Sequence, residues 1–155
     1  MPKRRDLIRM TADEVDAFLA GRRVMNIATH NHDGTIHLVA MWYGFATDGR
    51  PAFETFSKSQ KVQNLRRDNR ITALVETGDE YDQLRGVELV GTADVTEDPA
   101  VLMPIAQSVV ERYMGVDNPE EAKAAAEMLA RNRSAVVLNV DKTVSWDHTK
   151  LGGTY

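Results

Sequence analysis

Cysteine is absent from the chain, which excludes disulfides, thiolate zinc sites and thiol catalysis. Positive charge is not in excess either. With 19 Lys and Arg against 23 Asp and Glu, the net charge is −4, so no broad field exists to displace counterions from nucleic acid. No apolar run approaches the ~20 residues that span a bilayer. The basic start, Lys3-Arg4-Arg5, is not followed by the apolar core of a signal peptide. A soluble, cytoplasmic protein is expected. Repeats, low-complexity stretches and linkers are also lacking, and 155 residues suit one domain with a real core.

Local signals then order the chain. Thr11 followed three residues later by Glu14 is a capping box, and Val15, Phe18 and Leu19 make one apolar stripe. A helix is expected over residues 12–20, ending near Gly21. Asp33-Gly34 and Asp48-Gly49 are hairpin turns that separate strand-like segments at 24–29, 35–46 and 51–56. A basic helix follows at 59–68, then strands at 71–77 and 86–97, the latter with Val87, Leu89, Ala93 and Val95 on one face. Asp98-Pro99 and Asn118-Pro119 each place a cap before proline, predicting helices at 99–114 and 119–132. A last apolar strand is expected at 135–140, followed by a polar tail. Hairpins favour an antiparallel sheet or small barrel over a parallel fold. The expected class is α+β, mainly β.

The segment 53–70 carries the clearest local chemistry. A strand runs into a Ser/Lys-rich turn that opens the basic helix, whose first turn exposes unpaired N–H groups and a positive dipole end. Ser57, Lys58, Ser59 and Lys61 add hydroxyl and ammonium groups there. That combination suits an anion such as a nucleotide-like phosphate; a capped surface helix with solvated lysines is the alternative. His30 and His32 have no third ligand of matching character nearby, so no metal site is expected.

Several fragments, taken in order, resemble a known family. They are Ala28-Thr29 before Asp33-Gly34, the run His37 to Tyr43 (HLVAMWY), Phe53-Glu54-Thr55, Ser57-Lys58-Ser59-Gln60-Lys61, and Asn64 to Asp68. The chain resembles the pyridoxamine 5′-phosphate oxidase-like split β-barrel family, most closely its actinobacterial flavin/deazaflavin oxidoreductases, many of which use coenzyme F-420. Leu84-Arg85-Gly86, Glu111-Arg112-Tyr113 and Ser145-Trp146-Asp147-His148 look like one subgroup of that branch. The resemblance covers about residues 24–151.

The resemblance implies an antiparallel split barrel with flanking helices and a homodimer with cofactor sites at the subunit interface. It also implies hydride transfer from reduced F-420 to an electron-poor unsaturated small molecule. By the same resemblance Lys61, Ser57, Ser59 and Thr55 hold the cofactor phosphate, with Lys58 on the same loop. Val39, Met41 and Trp42 lie along the ring, and Trp146 and Arg85 approach from the partner chain. Gln60 stands where the oxidases proper carry arginine, which removes a bidentate phosphate donor and weighs against FMN. An FMN-dependent oxidoreductase remains the alternative, as does a non-catalytic protein that binds the cofactor, a tetrapyrrole or a lipid. Tyr43 and His148 are the candidate proton donors. Lys3, Arg4 and Arg5, with Arg22 and Arg23, are candidates for attracting the oligoglutamate tail of F-420.

Overall fold

The computed structural model of the chain describes residues 1–153. A short turn of helix α1 (Arg4–Leu7) leads to α2 (Ala12–Ala20). The capping box is formed: Thr11 Oγ1 accepts from the Glu14 N–H at 3.2 Å, and Glu14 Oε2 accepts from the Thr11 N–H at 2.7 Å. Seven strands follow: β1 (Met25–His30), β2 (Ile36–Met41), β3 (Gly44–Phe45), β4 (Pro51–Phe56), β5 (Arg70–Thr77), β6 (Arg85–Thr96) and β7 (Arg133–Asp147). Helix α3 (Gln60–Arg67) joins β4 to β5, while α4 (Pro99–Tyr113) and α5 (Pro119–Leu129) join β6 to β7.

The strands form one antiparallel sheet in the order β2-β1-β5-β6-β7-β4-β3. The sheet is curled, so the edge strands β2 and β3 are its two lips, and the architecture is a split barrel. Met25, Ile27, Val75, Val87, Leu89, Phe53, Val136 and Leu138 fill the inside, with Phe18 and Leu19 of α2 joining them. Alternation places these residues on one face of their strands. Burying side chains of this size stabilises by ~1.5–3 kcal/mol each, enough to specify the register. On the opposite face of β4 and β7, Ala52, Ala135 and Val137 pack against Leu102 and Ile105 of α4. Helix α5 docks on α4 through Ala106, Val110 and Ala126.

Two expectations from sequence need correction. The strand expected over 35–46 is broken: β2 stops at Met41 and β3 begins at Gly44. Between them Tyr43 turns fully into the core, and Gly44 passes so close to α4 that a Cβ there would lie 2.6 Å from Ser108 Oγ. The last strand runs on to Asp147 rather than stopping at Val140. Its second half carries the exposed residues Asp141, Lys142 and Thr143 and is held by backbone pairing with β6, past a bulge at Val90/Gly91. Backbone pairing leaves no hydrophobic pattern to read.

Candidate functional site

The site grows from the junction of β4 and α3. Ser59 sits at the N-cap of α3 with extended backbone (φ −67°, ψ 155°), yet its side chain makes no capping bond. Its Oγ is buried and has no hydrogen-bond partner. No acidic residue occupies the first turn, so the positive end of the helix is uncompensated. Lys61, the second residue of the helix, is only 8% exposed and donates from Nζ to Thr55 Oγ1 at 2.9 Å. Thr55 is itself buried on β4.

Electrostatics at this point are unbalanced in favour of an anion. Glu54, 5% exposed, pairs with Arg133 at 2.7 Å. Burial pushes the Lys61 pKa down, the nearby Arg133 guanidinium pushes it further down, and Glu54 offsets part of this. Burial pushes Glu54 up against the pull of Arg133. Two cations therefore share one carboxylate in a poorly solvated place. A phosphate oxygen would supply both the missing counter-charge and an acceptor for Ser59 Oγ. The residues present fit a phosphorylated cofactor.

Helix α3 links this cradle to the lip of the barrel. Asn64, fully buried, donates to Thr29 Oγ1 at 3.1 Å and to Asn31 Oδ1 at 2.9 Å. Thr29 is paired across the sheet with His37. Val39 and Met41 continue the inner face of β2, opposite Ile27 and Met25, and are half-buried against the core. Trp42, just beyond the strand, is 47% exposed and stacks on Tyr113, with centroids 4.9 Å apart and planes 6° from parallel.

Not every expected site residue joins this group. Ser57 turns away and accepts from Ser134 Oγ at 2.8 Å; with the exposed Lys58 it lines a separate cleft of about 880 Å³ beside Glu97 and Arg133. Trp146 and Arg85 lie at the far end of β6 and β7, where the Arg85 guanidinium sits 5.7 Å from the Phe18 ring. Trp146 is paired with Gly86 and faces a cleft with Leu38, Leu74 and Glu88. A Cβ on Gly86 would fall inside the indole. Gly86→Ala is thus expected to lever Trp146 off the sheet. In a Trp42→Phe background its emission should shift to longer wavelength; an unshifted spectrum contradicts the packing.

Tyr43 is placed as an anchor rather than as a proton donor. It is 0% exposed, its hydroxyl donates to Leu19 O, and burial pushes its pKa up. His148 holds its Nδ1 2.8 Å from Tyr81 O and packs on the Tyr81 ring. Arg22 and Arg23 do not join the N-terminal basic group: Arg22 donates to Tyr113 O and Arg23 to Phe18 O. Lys3 and Arg5 instead line a cleft with Arg9 and Lys142. No group of three or more His, Asp or Glu that could hold a metal occurs among the described residues, nor does a helix long and apolar enough to cross a membrane.

Sequence reasoning missed Asn64, the Glu54–Arg133 pair and the backbone-binding role of Arg112. The polar face of α3 has the composition of a solvated face, so nothing local marks Asn64 as buried.

A curled antiparallel sheet flanked by helices defines the class of split-barrel proteins. Comparison makes this specific: a family model described as pyridoxamine 5′-phosphate oxidase matches residues 11–147, and the chain belongs to that family. No curated protein matches it. Among solved structures, a conserved hypothetical protein of Mycobacterium tuberculosis, Rv2991, is 42% identical with a TM-score of 0.91, covering 99% of this chain and 95% of that one. An F420 reductase is 24% identical with a TM-score of 0.61, covering 83% of this chain and 94% of that one. A heme binding protein from Mycobacterium smegmatis is 19% identical with a TM-score of 0.64, covering 92% and 60%. The fold is thus shared by an F420 reductase and by a heme binding protein.

Proposed function

We propose that the protein is a coenzyme F-420-dependent oxidoreductase that delivers a hydride to an electron-poor unsaturated small molecule in the cytoplasm. One observation carries this reading. The buried Lys61 and the partnerless Ser59 hydroxyl both belong to the start of α3, and α3 is tied through Asn64 to β1, the neighbour of β2. Thr55, Ser59 and Lys61 would hold a phosphate there, leaving the inner face of β2 and Trp42 to flank a ring. Gln60 favours F-420 over FMN, because its side-chain amide donates to Asn64 Oδ1 at 2.9 Å and gives no charged donor to a phosphate.

The bound deazaflavin supplies the hydride chemistry. The chain's own contribution is to fix the cofactor's anion, to orient its ring and to exclude water from the reacting face. No general base is required of it.

The working unit is a homodimer. On the outer face of β2, Ile36 is 54% and Leu38 68% exposed, next to the cleft that holds Trp146. A second copy covering this face would remove apolar surface from water. The test is turnover: reduced F-420 should be oxidised in the presence of an enone acceptor and not without it. Tight binding with no turnover across an acceptor panel would show a carrier instead.

A further inference from the structure

Among the described residues, two buried side-chain polar atoms have no hydrogen-bond partner: Ser59 Oγ and His37 Nδ1. Leaving such an atom unpaired costs ~1–3 kcal/mol, so each calls for a reason. The phosphate cradle gives one for Ser59. For His37 there is none among the described residues. It is half-buried and stands opposite Thr29 in the β1–β2 ladder. The Thr29 hydroxyl and Asn31 Oδ1 already accept from Asn64, so the polar groups nearest along β1 are turned to the helix.

Position supplies the reason. His37, Val39 and Met41 are alternate residues of one strand and share its inner face. Ser59 and Lys61 belong to the start of α3, and Asn64, one turn later, touches the residue opposite His37. The two orphan atoms therefore flank the same helix, one at the phosphate cradle and one at the beginning of the row assigned to the ring. A ligand that satisfies both must be elongated, with an anionic end and further oxygens along its length.

We infer that His37 is a cofactor-binding residue, its Nδ1–H donating to an oxygen on the phosphorylated side chain of the cofactor. This rests on the cofactor reading above. It adds a contact that fixes where the ring begins along β2.

Affinity for F-420, with FMN as second probe, tests it in the full chain carrying His37→Phe or His37→Asn. The phenylalanine variant should bind F-420 at least tenfold more weakly, since it cannot donate. The asparagine variant, which keeps a donor near the Nδ1 position, should stay within threefold. Neither should melt below the parent, because the lost nitrogen has no partner in the free protein. In the unaltered protein the ¹⁵N resonance of His37 Nδ1 should move on saturation with F-420, which tests the contact even if a variant misfolds. Parent-like affinity of His37→Phe, or a stationary resonance in a protein that binds F-420, overturns the role of His37 and leaves the cradle intact. If the unaltered protein binds neither F-420 nor FMN, the cofactor reading itself fails and this inference with it.

Discussion

Lys61→Met is expected to lose about a hundredfold in affinity for F-420 while raising the melting temperature of the ligand-free protein. The first effect follows from removing a charge-assisted donor from a poorly solvated anion site, worth ~1.5–3 kcal/mol. The second follows from the burial of the lysine. The folded protein binds the Lys61 proton less tightly than an unfolded chain does, because the pKa is lowered from the ordinary 10.5. The charged form therefore costs stability below the lowered pKa, and this cost fades as pH rises from there toward 10.5. Methionine has similar volume and no charge, and replacing a buried charge by a packed apolar group gains ~1 kcal/mol or more. For a chain of this size that is an upward shift of roughly 2–4 °C. Affinity of the unaltered protein should correspondingly fall with rising pH as Lys61 deprotonates, and affinity of the variant should not. Thermal melting with and without cofactor reads both effects. A variant that melts lower and binds as well as the parent would contradict the account.

Arg112→Ala is expected to be the most destabilising single change outside the barrel core. Its guanidinium donates to the carbonyls of Tyr43 (2.9 Å), Ala20 (2.9 Å), Leu19 (3.3 Å) and Gly21 (3.0 Å). It also lies 4.6 Å from the Tyr43 ring centre and 5.0 Å from that of Phe45. This one side chain satisfies the carbonyls at the end of α2, which the helix cannot pair internally. Truncation takes this donor from the part-buried carbonyls of Tyr43 and Gly21, while Leu19 O keeps the Tyr43 hydroxyl, at ~3 kcal/mol, or roughly 6–12 °C in melting temperature. Lysine should recover less than half of that, because one ammonium cannot span the fork. The neighbouring Tyr113 hydroxyl bonds to Arg23 O at 2.6 Å and its ring carries the Trp42 stack, so Trp42 emission should shift with the loss of Arg112. A melting temperature within 2 °C of the parent would show that Arg112 is dispensable.

These two residues illustrate how much the sequence discloses. The capping box at Thr11, the Asn118-Pro119 start and the alternation of Val87 and Leu89 are local signals, each set by a few neighbouring residues, and the elements follow them. The Ser/Lys turn was legible as a helix start, because an N-cap serine has the same chemistry wherever it lies. The charge environment of Lys61 was not legible: it includes Arg133, 72 positions away in sequence and brought alongside β4 only by the sheet register. Arg112 reads locally as the polar face of an amphipathic helix. Its role depends on where α2 ends, and that contact is purely tertiary. The same holds for Ser57, whose contacts with Ser134 of β7 and with Glu97 are purely tertiary.

The central claim is that this barrel holds a phosphorylated deazaflavin at Thr55, Ser59 and Lys61. Calorimetric titration of the purified protein with F-420 and, separately, with FMN tests it most directly. The account predicts saturable binding of F-420, abolished or greatly weakened by Lys61→Met, and weaker binding of FMN. Saturable binding of FMN with none of F-420 would contradict it.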